Sequence, residues 1–253
     1  VTDLSAFSLE GKRIAVTGAN TGIGQGLSVA VARAGGAVVG IGRSAMDETA
    51  RLVEAEGGRF EPVRADLADI KAAVAMLDAL MADGPLDGLV NNAGIIRRAD
   101  SVDFTEEDWD DVMDVNLKSL FFLSQAYGRA CISAGRPGRI VNIASLLSFQ
   151  GGIRVPSYTA SKHGVVGITR LLANEWAAKG VNVNAIAPGY IETNNTEALR
   201  NDPARSKSIL ERIPAGRWGV ADDIGDAAVF LLSRASNYMH GAVVPVDGGW
   251  LAR

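Results

Sequence analysis

A serine, a tyrosine and a lysine stand at positions 145, 158 and 162, within SLLSFQGGIRVPSYTASK. Pro156 opens a long apolar-periodic run, SYTASKHGVVGITRLLANEWA, which predicts a helix with proline near its first turn. A spacing of four puts Tyr158 and Lys162 one turn apart on one helical face. An ammonium beside a phenol favours the phenolate, so the expectation is a Tyr158 pKa pulled down toward neutrality. Such a phenol gives or takes a proton at cellular pH. Ser145 can fold back across the loop and hydrogen-bond the oxygen that Tyr158 protonates. The chemistry is reduction of a carbonyl or oxidation of an alcohol, and it needs a hydride carrier nearby. Taken alone, Y-x-x-x-K is commonplace and describes a solvated helix face, so its weight depends on a dinucleotide site.

A candidate for that site is TGANTGIG, residues 17–24, between a short apolar strand and a helix. Gly18 permits a tight turn, Gly22 lets the backbone approach a pyrophosphate, and Gly24 allows close helix–strand packing. The helix N-terminus then offers free N–H groups to phosphates. Asp66 can meet an adenine amino group or cap the helix that follows it. In NNAG, 91–94, Asn91 and Asn92 can hold the loop by side-chain bonds to backbone, and Gly94 lets the chain pass close to a ribose. Asn116 lies inside a long helical run, where it either distorts the helix and holds a water or is an exposed residue of no consequence. At the end of the second strand stand Gly42, Arg43 and Ser44, with no carboxylate to meet a ribose 2′-hydroxyl. Arg43 suits a 2′-phosphate, which predicts NADP(H) over NAD(H).

The elements that must position these groups alternate almost throughout. Apolar strands are expected at 13–18, 37–42, 60–67, 86–94, 138–145, 181–189 and 242–249. Helices are expected at 22–36, over DETARLVEAEGG, at 69–83, 106–134 and 157–179, and from Ala221. The pattern predicts an α/β fold: one doubly wound (Rossmann) domain over 1–253, a seven-stranded parallel sheet with helices on both faces. Residues 190–216 mix polar positions with an amphipathic segment and form the expected substrate loop. Pro245 suits a sheet edge. Every polar motif falls at a strand carboxyl end, where such sheets bind ligands.

The chain has 253 residues, 47% hydrophobic and 21% charged, as a globular protein does. A net charge of −4 gives no footprint for nucleic acid or an anionic membrane. One cysteine, Cys131, and two histidines, His163 and His240, argue against a disulfide and a metal site; Cys131 is expected in the core. No basic leader followed by an apolar stretch is evident, and no apolar run reaches membrane-span length, so the expectation is a cytoplasmic enzyme. Trp250 and Leu251, so near the C-terminus, are expected at a subunit interface.

Together these residues resemble the short-chain dehydrogenase/reductase family. Its pattern of TGxxxGIG, NNAG, a helix asparagine, serine, YxxxK and PG is matched in order by residues 17–24, 91–94, Asn116, Ser145, Tyr158 with Lys162, and Pro188 with Gly189. The resemblance implies hydride transfer at a nicotinamide and a homotetramer. It implies that Tyr158 is the acid/base, Ser145 orients the carbonyl, Lys162 binds the ribose and lowers the phenol pKa, and Asn116 holds a proton-relay water. It extends the cofactor contacts to Asn20, Thr21, Ile23, Leu67, Asn92 and Ala93, with Ile191 and Thr193 closing on the carboxamide. NNAGIIRRADSVDFTEEDW, ASLLSFQGG and APGYIETNNTEALRND look like the branch that handles sugar acids.

Such a small-molecule substrate needs a cation for its carboxylate and donors for its hydroxyls. Arg97, Arg98, Arg154 and Arg217 fall in loops or near strand ends, and Arg154 is favoured because it lies between Ser145 and Tyr158. Gln150, Asn194 and Asn195 can bind hydroxyls. A ketoreductase for acyl-carrier-protein thioesters would want an apolar slot, against which the polar QGGIR stretch and Asn194 argue. A non-catalytic dinucleotide-binding protein would not need Ser145, Tyr158 and Lys162 together.

Overall fold

The computed structural model describes residues 3–253. Seven strands form one sheet: β1 (Arg13–Thr17), β2 (Ala37–Gly42), β3 (Phe60–Arg64), β4 (Gly88–Asn91), β5 (Gly138–Ile143), β6 (Val181–Pro188) and β7 (Val243–Val246). Their order is β3-β2-β1-β4-β5-β6-β7, and every neighbouring pair is parallel. The central strands are covered on both faces, which is why they read as unbroken apolar runs; β6 is buried along its whole length. The chain order reverses at β1, whose neighbours are β2 and β4. A crevice opens at the carboxyl ends of strands at such a reversal.

Nine α-helices are assigned among the described residues: α1 (Gly22–Arg33), α2 (Asp47–Ala55), α3 (Ile70–Ala82), α4 (Glu106–Met113), α5 (Ser119–Ser133), α6 (Pro156–Trp176), α7 (Asn194–Arg200), α8 (Pro203–Leu210) and α9 (Ala221–Leu232). Leu27 and Val31 of α1 pack with Ile224 and Leu231 of α9 over one face of the sheet. Leu77 of α3, Leu123 and Tyr127 of α5, and Leu172 and Trp176 of α6 cover the other. Cys131 is buried in this second cluster, as expected.

Four details differ from the sequence reading or sharpen it. The helix expected over 106–134 is divided by a π-helical turn, Asp114–Lys118, with Asn116 at its centre. Such turns insert a residue into the ladder and recur at functional sites. The segment 190–216 resolves into α7 and α8, separated because Asp202 caps α8, accepting from the Ala204 and Arg205 amides at 3.0 and 3.1 Å, with Pro203 in its first turn. Pro245 does lie on an edge strand.

The expected placement of Trp250 at an interface is corrected. Its ring is buried within the chain, 4.8 Å from Tyr190 centroid to centroid, with the Arg212 guanidinium 3.9 Å above it. The apolar C-terminus closes onto the segment 190–216 of its own chain.

Candidate active site

The turn after β1 is built around two close approaches. Gly18 has φ +68°, and a side chain there would fall 2.9 Å from the Ala93 Cα. A Cβ on Gly24 would lie 2.0 Å from the Gly18 carbonyl oxygen, so only glycine lets α1 seat on the turn. The Thr21 side chain does not cap α1, which leaves its first N–H groups facing the crevice. Thr17 ties this turn to the next loop: its Oγ1 accepts from the Asn92 and Ala93 amides, each at 3.0 Å. Asn92 Nδ2 donates back to the Thr17 carbonyl at 2.9 Å.

Asn91 does not hold the loop in this way. It is buried and donates to Ser124 Oγ and Asn142 Oδ1, both at 2.9 Å. Consecutive strand residues point to opposite faces, so one asparagine of the pair meets the crevice loop and the other the core.

One cavity of about 420 Å³ runs along the strand ends. All nineteen residues expected to touch the cofactor line it, from Gly18, Asn20, Thr21, Gly22, Ile23 and Gly24, through Arg43, Ser44, Asp66 and Leu67, then Asn92, Ala93 and Gly94, to Tyr158, Lys162, Pro188, Gly189, Ile191 and Thr193. Asn20 Nδ2 donates to the Ser44 carbonyl at 3.1 Å and also to its hydroxyl, fixing the end of β2. Asp66 Oδ1 accepts from the Ala68 amide at 3.0 Å, whereas the helix cap is Asp69, which accepts from Ala72 N. Asp66 therefore does not cap α3 and faces the cavity.

Ser145, Tyr158 and Lys162 line the same cavity. Ser145 follows β5 by two residues, and α6 carries Tyr158 and Lys162. Lys162 is buried, donates from Nζ to the Ile143 carbonyl at 2.6 Å, and lies 5.5 Å from the centre of the Tyr158 ring. Burial lowers its pKa to about 8.

The expected fall of the Tyr158 pKa is not found. Burial raises it, although the side chain keeps part of its surface open to the cavity. The Ser145 hydrogen bond, then the Arg98 charge, pull against that rise. Lys162 contributes nothing comparable because its ammonium is turned over the ring and spent on a carbonyl.

Asn116 stands behind the cavity rather than in it, and it is buried, which removes the exposed-residue reading. Its Oδ1 accepts from the Ile95 amide at 2.8 Å, and its Nδ2 donates to the Ile95 carbonyl at 2.9 Å and to Ser161 Oγ at 3.4 Å. The side chain pins the loop after β4 to α6, with both amide atoms already hydrogen-bonded within the chain.

The substrate assignments change most. Arg154, the favoured cation, pairs with Asp100 at 3.0 Å on an exposed loop and does not line the cavity. Its φ of +63° turns the chain there, and sequence proximity to Tyr158 did not translate into spatial convergence. Gln150 is also outside, accepting from Trp250 Nε1 at 3.4 Å. Arg97 pairs with Asp108 and Asp111, and Arg217 with Asp223, whose pKa that arginine holds down at about 2. Arg98 does not line the cavity either, but alone of the four it has no carboxylate partner among the described residues; it donates to the Asn195 carbonyl, on a residue that does line it, at 3.2 Å, and its charge reaches Tyr158. Asn194 lines the cavity as expected, joined by Asn195 and Thr196. Ile143, which holds Lys162, was not singled out, because a backbone carbonyl leaves no mark on residue type.

The crevice, the glycine cradle and a phenol, hydroxyl and amine at its inner end define a dinucleotide-dependent oxidoreductase. A nicotinamide dinucleotide fits this cradle, since Gly18, Gly22 and Gly24 line the cavity and the first N–H groups of α1 carry no side-chain cap. A family model described as Enoyl-(Acyl carrier protein) reductase matches residues 18–251. The chain belongs to the short-chain dehydrogenase/reductase family. It is 58% identical over 251 residues to 2-dehydro-3-deoxy-D-gluconate 5-dehydrogenase of Escherichia coli (strain K12), covering 99% of both chains. A crystal structure from Agrobacterium tumefaciens with bound NADP, provisionally named 2-deoxy-d-gluconate 3-dehydrogenase, is 64% identical with a TM-score of 0.95, covering 98% of this chain and 99% of that one. A gluconate 5-dehydrogenase from Burkholderia cenocepacia J2315, solved with NADP and tartrate, is 38% identical with a TM-score of 0.93 over 99% of both chains.

Proposed function

We propose that the chain oxidises a secondary hydroxyl of a sugar acid, 2-dehydro-3-deoxy-D-gluconate at carbon 5, and catalyses the reverse reduction. The observation that carries this reading is one cavity holding Ser145, Tyr158 and Lys162 at its inner end, with Arg98, which has no carboxylate partner among the described residues, acting on Tyr158. The identity to the Escherichia coli enzyme supports the choice of substrate.

The bound nicotinamide supplies the acceptor or donor of hydride. In oxidation, Tyr158 takes the proton of the substrate hydroxyl as the carbon-bound hydrogen leaves with its electron pair. In reduction, Tyr158 returns the proton to the carbonyl oxygen. Ser145 donates a hydrogen bond to that oxygen in both directions. Lys162 holds positive charge under the phenol and binds the cofactor ribose. Asn116 serves through the π turn, where a main-chain carbonyl can accept from a relay water, since its side chain is already engaged. Arg98 takes the substrate carboxylate and Asn194 its hydroxyls. Residues 190–216 form the substrate loop.

For the cofactor, NADP(H) is favoured over NAD(H): Arg43 and Ser44 face the cavity where a 2′-phosphate would lie, with no carboxylate at the end of β2. NADP in the Agrobacterium and Burkholderia structures supports this. A homotetramer in the cytoplasm completes the reading, resting on family membership; sedimentation as a monomer would overturn the assembly. Among the described residues no helix is long and apolar enough to cross a membrane.

The deciding experiment is steady-state kinetics on 2-dehydro-3-deoxy-D-gluconate, gluconate and 2-deoxy-D-gluconate with NADP⁺ and NAD⁺, the oxidised carbon located by NMR. The expected result is the highest kcat/KM for the first compound, with product oxidised at carbon 5. Preference for another acid, or oxidation at carbon 3, overturns the substrate assignment.

A further inference from the structure

We propose that Ser148 is a positioning residue that sets the Ser145 hydroxyl against Tyr158. The proposal rests on the reading of Ser145, Tyr158 and Lys162 as the reacting groups.

After β5 the chain enters a single 3₁₀ turn, Leu146–Ser148. Ser145 caps it: its Oγ accepts from the Leu147 amide at 3.1 Å, and the Ser148 amide donates to the Ser145 carbonyl at 2.9 Å. One lone pair of the Ser145 hydroxyl is thus fixed, and its proton is free to be donated. The Ser148 hydroxyl is buried and uses both its proton and a lone pair. It donates to the Lys162 carbonyl at 2.6 Å and accepts from the Ser145 amide at 3.3 Å.

That one oxygen joins the main chain at Ser145 to the main chain at Lys162, one helical turn from Tyr158. No atom of Ser148 lines the cavity, so it acts only through its neighbours. A second tie, from Lys162 Nζ to the Ile143 carbonyl, joins the same helix to the strand end two residues before Ser145. With both ties the turn cannot rotate about the strand end. Without Ser148 Oγ, α6 and β5 stay joined but the turn bearing the Ser145 hydroxyl is released. A misplacement of about 1 Å in a reacting group costs on the order of a hundredfold in rate.

The test compares Ser148→Ala, Ser148→Cys and Ser145→Ala with the wild type. Turnover of 2-dehydro-3-deoxy-D-gluconate with NADP⁺ is measured beside NADPH affinity and melting temperature. Ser148→Ala is expected to lower kcat ten- to hundredfold, with KM and NADPH affinity within about twofold. Ser148→Cys, which fills the space and keeps a weak donor, is expected to lie between and covers the case in which the alanine variant folds poorly. A kcat within twofold of wild type in Ser148→Ala, or in Ser148→Cys where the alanine variant does not fold, while Ser145→Ala is inactive, overturns the proposal. Near-normal kcat in Ser145→Ala instead defeats the reading beneath it.

A readout that needs no substrate is the titration of Tyr158, followed by NMR of ¹³Cζ-labelled tyrosine and assigned with Tyr158→Phe. Burial raises the phenol pKa and the Ser145 bond works against that rise, so Ser148→Ala should move the titration to still higher pH; an unmoved titration rejects the proposal.

Discussion

The Lys162 ammonium donates to the Ile143 carbonyl oxygen at 2.6 Å, in a position shut off from water. Burial outweighs that bond, so the amine loses its proton near pH 8 rather than at the ordinary lysine value of 10.5. Between those limits the unfolded chain holds a proton that the native chain has released. Stability therefore rises with pH across this window, and below about pH 8 both states are protonated and the group contributes no slope. Lys162→Met lacks the titrating group. The difference in unfolding free energy, wild type minus variant, is expected to be flat from pH 6 to 7.5 and then to climb by up to about 1.4 kcal/mol per pH unit. Urea unfolding of ligand-free protein at a series of pH values checks this; parallel curves up to pH 10 would show that the amine is not perturbed.

Arg98 and Arg154 should separate cleanly. Loss of a hydrogen bond to a charged group costs about 1.5–3 kcal/mol, which is roughly a ten- to hundredfold rise in KM. Arg98→Met is expected to show that rise for a sugar acid and a smaller one for the corresponding sugar lactone. Arg154→Ala is expected to leave the acid KM within about twofold, because its guanidinium is engaged with Asp100 outside the cavity. The Arg98 charge also favours the Tyr158 phenolate. Removing it raises the phenol pKa, so the rising, acidic limb of the oxidation profile, where Tyr158 must lose its proton to act as base, should move to higher pH in Arg98→Met. An unchanged limb would separate Arg98 from the reacting phenol.

Cofactor choice should turn on Arg43. Its main chain is held by Arg64 Nε, which donates to the Arg43 carbonyl at 2.9 Å, while its own guanidinium forms no ion pair among the described residues. Arg43→Ala is expected to weaken NADPH binding by about tenfold or more and NADH binding by less than threefold, since only the 2′-phosphate would lose a charged partner. Fluorescence titration with both reduced cofactors distinguishes this from a general loss of the cradle.

What the sequence shows and hides follows from range. The strand–turn–helix at 13–33 and the face shared by Tyr158 and Lys162 are set by local periodicity, and both stand in the structure. The direction of the Tyr158 shift was misread because spacing places an ammonium on the same face but not its distance from the hydroxyl, nor the water excluded around both groups. Arg154 was misread because a left-handed φ at a non-glycine residue has no signature in composition, and it turns the side chain to Asp100. The partners of Asn91 and Asn116 come from β5, α5, α6 and the loop after β4, positions 21 to 51 residues from them in sequence, which only the fold brings together.

The C-terminus is the last place where folding and site meet. Asp247 organises it, accepting from the Gly249 and Leu251 amides at 2.8 and 2.9 Å. Trp250 then packs on Tyr190, which follows Gly189 directly and precedes Ile191, two residues that line the cavity. Tyr190 also meets Trp218 edge-on at 5.4 Å, and Leu146, Ile209 and Ile213 are buried in the same cluster. The proposed substrate loop, 190–216, is therefore held at its start and at its end by one apolar cluster under the C-terminal turn. Truncating a buried tryptophan costs about 3–5 kcal/mol. Trp250→Ala is expected to destabilise the protein by that order and to raise substrate KM several-fold more than it weakens NADPH binding, because α1 and the β1 turn make no part of the cluster. Limited proteolysis should cut within 198–206 faster than in wild type. Trp250→Phe, which keeps a ring against Tyr190, should recover most of both losses. Equal loss of cofactor and substrate binding in Trp250→Ala, with no recovery in Trp250→Phe, would mean that the cluster supports the whole fold rather than the loop.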